Sequence, residues 1–194
     1  MEPGRSTDEG FSRRPFTVDE VLRMADAGIF GDGEHVELLD GELVVVSPEG
    51  PIHACTLGRL RDRLASMYVG RAVVREDKPL VVGTRSMPEP DLTVVPGSHA
   101  DHVKRHPRGR EAALVIEVCV TGHREARRKT PIYARGSVAV YWLVDVPARR
   151  VEVYSGPTRG GRYRRVRILS ASEALTLPGT RQTLQVSELF ELLD

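Results

Sequence analysis

Hydrophobic positions along this chain repeat first with a helical period and then with strand alternation, and the switches mark its elements. Phe16-Thr17-Val18-Asp19-Glu20 reads as a helix start, with Thr17 as cap and Glu20 closing a capping box. That helix carries Val21, Leu22 and Ala25 and stops at Gly28. Val36 to Leu39 and Leu43 to Val46 flank Asp40-Gly41, a strong hairpin signal. Leu57, Leu60, Leu64 and Met67 recur at helical spacing and predict a helix from Pro51 to Val69, ending at Gly70. Strands are predicted at Ala72 to Arg75, Leu80 to Val82 and Asp91 to Val95. A long polar loop, Pro96 to Glu111, leads into Ala112 to Val120, the most apolar strand pattern in the chain. A short helix follows over Arg124 to Arg135, then an apolar strand over Val138 to Val144. Val151 to Tyr154 and Tyr163 to Leu169 read as a hairpin, and Ser187 as the cap of a short terminal helix. The order of elements predicts a mixed α/β (α+β) sheet with flanking helices and an additional β-hairpin. It is expected to form one domain over residues 16–194. Residues 1–15 are polar, lack the apolar core of a secretory signal and read as a loose tail.

Two carboxylates break this pattern. Asp91 opens one predicted strand, and Glu117 sits in the middle of Leu114-Val115-Ile116-Glu117-Val118, where burying a charge without a partner is costly. Side chains alternate across a strand, so Asp91 shares a face with Thr93 and Val95, and Glu117 shares one with Val115 and Cys119. If the strands are neighbours, the two carboxylates point into one space. Unpaired there, they repel and one takes up a proton, whereas a divalent cation removes the conflict. Lys129 lies close enough in sequence to join them. Each residue also has an ordinary reading. Asp91 can satisfy backbone amides at a turn, Glu117 can pair with a core arginine, and Lys129 stands at helix-pair spacing from Glu125.

Bulk properties narrow the function classes. The 194 residues are 40% hydrophobic and 28% charged, the balance of a globular protein, and no apolar run is long enough to cross a bilayer. Cys55 and Cys119 fall in apolar-patterned segments and read as reduced, buried thiols of a cytoplasmic protein. A net charge of +1 does not announce a nucleic-acid binder. Arginines do cluster between Val146 and Arg167, and Lys104, Arg105, Arg108 and Arg110 form a second basic stretch. Such stretches contact phosphates, but solvated strand edges look the same. His99, His102 and His106 match no familiar zinc spacing, and no phosphate-binding glycine loop or serine elbow is present. Tyr141 and Trp142 belong to an apolar strand and read as core.

An ordered set of motifs goes further. Glu37-Leu38-Leu39-Asp40-Gly41-Glu42-Leu43, Pro48, His53 and Pro90-Asp91-Leu92-Thr93-Val94-Val95 come first. Leu114-Val115-Ile116-Glu117-Val118, Lys129-Thr130-Pro131-Ile132-Tyr133-Ala134 and Tyr141-Trp142-Leu143-Val144-Asp145 follow. In this order they resemble the Uma-type family of "putative restriction endonucleases", placed in the PD-(D/E)XK nuclease superfamily, from Phe16 to the C-terminus. The resemblance implies a restriction-endonuclease-like core and phosphodiester hydrolysis in DNA with Mg²⁺ or Mn²⁺. It also implies Asp91 and Glu117 as metal ligands and catalytic residues, with Lys129 as the third catalytic group. Glu37, His53 and Tyr133 correspond to supporting positions. The superfamily's usual lysine, two residues after the acid, is replaced by Cys119, so the resemblance moves the lysine to the following helix. Glu125 stands where the family has an aspartate, Val140 replaces an acid, and the serine-rich turn after Glu117-Val118 is absent.

The expected partner is DNA, with no membrane association and with a symmetric homodimer as the arrangement suited to cutting both strands. Two other readings remain: a nuclease fold that binds nucleic acid without turnover, and a protein-interaction module. The discriminating geometry is whether Asp91 and Glu117 face one cation position with the Lys129 amine in the same cleft.

Overall fold

The structure, a computed structural model, describes residues 12–31, 33–46, 49–121 and 124–191, without the side chain of Glu125. Pro48 and most of the N-terminal tail (residues 1–11) lie outside these residues. Helix α1 (Val18–Asp26) precedes strands β1 (Val36–Leu39) and β2 (Glu42–Val45), and helix α2 (Pro51–Met67) follows. Strands β3 (Ala72–Glu76), β4 (Leu92–Pro96) and β5 (Leu114–Cys119) lead to helix α3 (Arg124–Arg135). Strands β6 (Val140–Asp145), β7 (Arg150–Pro157) and β8 (Tyr163–Ser170) complete the main sheet, and short strands β9 (Ala174–Thr176) and β10 (Thr183–Gln185) form a small hairpin.

Six strands make the main sheet in the order β3-β4-β5-β6-β7-β8. Every neighbouring pair is antiparallel except β5 and β6, which run parallel and are joined by α3. Alternation along β5 divides the core. Leu114, Ile116 and Val118 pack on one face with Leu57, Leu60 and Leu64 of α2 and with Leu175, Leu184 and Leu189. Val115 and Cys119 pack on the other with Ile132 and Tyr133 of α3 and with Tyr141. Trp142 and Tyr141 are fully buried, as the apolar pattern predicts. Burial of each such ring contributes on the order of 1.5–3 kcal/mol. The mixed α/β sheet with flanking helices and an added hairpin is therefore the observed architecture.

Local signals explain the flanking pieces. Thr17 and Glu20 form the expected capping box on α1. Asp40 and Gly41 both have positive φ, 52° and 88°, the paired left-handed conformation that closes the two-residue β1–β2 turn. Arg14 bonds Glu20, and the Phe16 amide donates to the Gly41 carbonyl, so the chain before α1 is fastened to helix and hairpin.

Four expectations need correction. Leu80 to Val82 is not a strand: Val81 forms a lone bridge to Arg108, because Pro79 and Pro88 remove the amides a ladder would use. Cys55 is exposed, since it lies about 200° around α2 from Leu57 and misses the apolar stripe. The terminal helix is a 3-10 turn over Val186–Leu189, and Ser187 lies inside it rather than capping it. Pro131 neither starts α3 nor ends it, but falls inside the helix. The β9–β10 hairpin was not expected; its strands are only three residues long, too short for a periodic signal.

Candidate active site

The β4–β5 register settles the relation between the two carboxylates. Leu92 pairs with Ile116, so the next step of the same antiparallel ladder sets Asp91 opposite Glu117, and both line one cavity of about 840 Å³. The Asp91 carboxylate accepts from the Val118 amide, the residue after Glu117, and is joined by His53 Nε2 at 3.2 Å. His53 reaches it from the first turn of α2, which Pro51 starts and which needs no amide there.

Helix α3 supplies the cation. Lys129 is 4% exposed, and its Nζ donates to Glu37 Oε1 at 2.9 Å and to Glu117 Oε2 at 3.3 Å. Tyr133, one turn on and therefore on the same helix face, donates its hydroxyl to Glu117 Oε1. Glu37, inward-facing on β1, also accepts the Glu89 amide at 2.8 Å. The structure thus brings Asp91, Glu117, Lys129, Glu37, His53 and Tyr133 together. The core-arginine partner for Glu117 is not found; Lys129 takes that role. The alternative partner Glu125 lies outside the described side chains.

Charges in the cavity do not cancel. Glu37, Glu49, Asp77, Glu89, Asp91 and Glu117 line it, against Lys129, His35 and His53. Burial pushes Glu117 up to about 8 and outweighs Lys129, while Asp91 and Glu37 push the same way. Burial alone would depress His53, but the hydrogen bond and charge of Asp91, with the charge of Glu49, lift it to about 9. Burial also raises Glu49 and Glu89, and raises Asp77 to about 6. Lys129 is held above its ordinary range: burial opposes its charge, and Glu117 and Glu37 overcome that. Cys119, where the superfamily's lysine commonly stands, is pushed by burial to about 12 and stays a neutral thiol.

Glu49 escaped the sequence reading. Its Oε2 lies 2.8 Å from His53 Nδ1, four residues on across the helix start. Glu-x-x-x-His beside a predicted helix start is a readable signal for such a pair. Glu89 and Asp77 had none, because loops rather than periodic elements carry them to the cavity.

Fold and site together define a nuclease-like α/β protein. A crystal structure described as that of a "putative nuclease belonging to DUF820" from Anabaena variabilis ATCC 29413 is similar, with a TM-score of 0.73 and 15% identity, over 93% of this chain and 100% of that one. The profile of the Uma2 family, described as "putative restriction endonuclease", matches residues 18–188, and the chain belongs to that family. No curated protein sequence matches the chain. Among the described residues, no helix is long and apolar enough to cross a membrane.

Proposed function

We propose that this protein is a divalent-metal-dependent endonuclease that hydrolyses phosphodiester bonds in DNA. The observation that carries this reading is the placement of Asp91 opposite Glu117 in one cavity, with Lys129 arriving from α3. The donor set fits Mg²⁺ or Mn²⁺: six carboxylates line the cavity against one lysine and two histidines, so a phosphate enters only if a cation offsets them. Asp91 and Glu117 would hold the ion, which when bound supplies charge stabilisation at the phosphate and acidifies a water.

The chain's own residues do the rest. His53 and the Val118 amide fix the Asp91 carboxylate, and Tyr133 fixes that of Glu117. Glu37 anchors Lys129, keeping its ammonium beside Glu117, where it can orient the attacking water or stabilise charge on the phosphorane. The exposed arginines of the edge strand β8, among them Arg164, Arg165 and Arg167, suit contacts to the phosphate backbone.

Purified protein incubated with plasmid DNA and Mg²⁺ or Mn²⁺ is expected to cleave, and Asp91→Ala to abolish cleavage. Absence of cleavage of any nucleic acid across both metals sinks the reading. One observation favours turnover-free binding instead: Lys129 and Tyr133 already engage both oxygens of Glu117. That alternative predicts salt-dependent DNA binding unaffected by loss of both carboxylates.

A further inference from the structure

Beside the Asp91–Glu117 pair, His53 lies between two carboxylates in an arrangement that pairing alone does not explain. Its Nε2 is 3.2 Å from Asp91 Oδ2, and its Nδ1 is 2.8 Å from Glu49 Oε2. Linear hydrogen bonds from the two ring nitrogens diverge and would hold their acceptors on opposite sides of the imidazole. Here one donor atom from each of Glu49, His53 and Asp91 lies within 4.8 Å of the others. The buried Nδ1 makes no hydrogen bond despite the short contact, because the Glu49 oxygen lies off its N–H direction. The three donors converge on one point. Among the described residues, no other trio of His, Cys, Asp or Glu does so.

We propose that Glu49, His53 and Asp91 form a second cation site, one that takes Mn²⁺ or a similar imidazole-accepting divalent ion in preference to Mg²⁺. Magnesium demands oxygen ligands, whereas imidazole suits first-row transition ions. The side chain of His53 is 13% exposed, and Pro51 and Gly50 fix the start of its helix, so the ligand is held rather than floating. Glu49 and His53 belong to this site alone, while Asp91 is shared with the pair proposed above. The inference rests on the nuclease reading only through that shared residue. An ion on each side of one carboxylate is the arrangement of two-metal phosphodiester chemistry.

The test is pulsed electron paramagnetic resonance on the full chain loaded with Mn²⁺, without nucleic acid. Direct imidazole coordination gives a nitrogen modulation. It should be present in the unaltered protein, unchanged in His35→Gln, whose ring also lines the cavity, and lost in His53→Gln. Mn²⁺ affinity should fall about tenfold or more in both His53→Gln and Glu49→Gln, with Mg²⁺ affinity unchanged. A signal that is absent from the unaltered protein, or that persists in His53→Gln, overturns the proposal. So does unchanged Mn²⁺ affinity in Glu49→Gln, a variant that keeps the helix start intact should His53→Gln fail to fold. Because no substrate is present, loss of this signal and loss of DNA cleavage are separate failures.

Discussion

At Glu117, full burial favours the neutral acid, while the Lys129 ammonium beside it favours the carboxylate, and burial prevails: the group stands near 8 against an ordinary 4.5. The folded protein therefore keeps a proton there that the unfolded chain has lost. This contribution to stability is complete below pH 4.5 and disappears as the pH rises through 8. His53, lifted from 6.5 to about 9, acts in the same direction: its contribution is complete below 6.5 and is lost through 9. The metal-free protein is expected to lose thermal stability as pH rises from 6.5 to 8, the interval in which both groups act. Bound Mn²⁺ must displace these protons, so it should raise Tm more at pH 8 than at pH 6. Melting curves across that range check both signs, and a larger Mn²⁺ effect at pH 6 contradicts the assignment. Asp91 and Glu117 were legible in the sequence because a carboxylate in an apolar strand stands out against its neighbours. Lys129 became legible only through the family pattern, since Cys119 fills the place two residues after Glu117. Glu89 and Asp77 stayed hidden, because their approach depends on loops that carry no period.

Each element delivers its side chain through a specific backbone device. Glu37 reaches Lys129 because the β1–β2 turn closes tightly at Asp40 and Gly41, where the Gly41 amide bonds the Arg85 carbonyl. A Cβ at Gly41 would run into Pro15 as well as strain a φ of 88°. Gly41→Ala should cost on the order of 1–3 kcal/mol, lowering Tm by roughly 2–4 °C per kcal/mol for a chain of this size. Gly41→Asn separates the two causes: asparagine tolerates the left-handed conformation but still meets Pro15. An Asn variant as stable as the native protein excludes the contact as a cause. The hairpin, the capped α1 and the parallel β5–α3–β6 unit were all readable, since turn chemistry and periodicity coincide there. Leu80 to Val82 misled because its apolar run resembles a strand, while Pro79 and Pro88 forbid the ladder.

Across the molecule, the site is a meeting of distant segments. Glu37, His53, Asp91, Glu117 and Lys129 come from β1, α2, the start of β4, β5 and α3, and the pair that touches most closely, Glu37 and Lys129, is 92 residues apart. No local pattern encodes such a convergence; the six-stranded sheet order does, by making β4 and β5 neighbours. The acidic cavity and the basic β8 edge give one molecule a place for cations and a place for phosphates. The central claim, that Asp91 and Glu117 share a cation, is tested most directly by anomalous diffraction from crystals of the protein soaked in Mn²⁺. The account predicts an anomalous peak within about 2.0–2.3 Å of carboxylate oxygens from both residues, with Lys129 still in the same cleft. A fully occupied Mn²⁺ peak elsewhere, with Asp91 and Glu117 holding no shared ion, would contradict it.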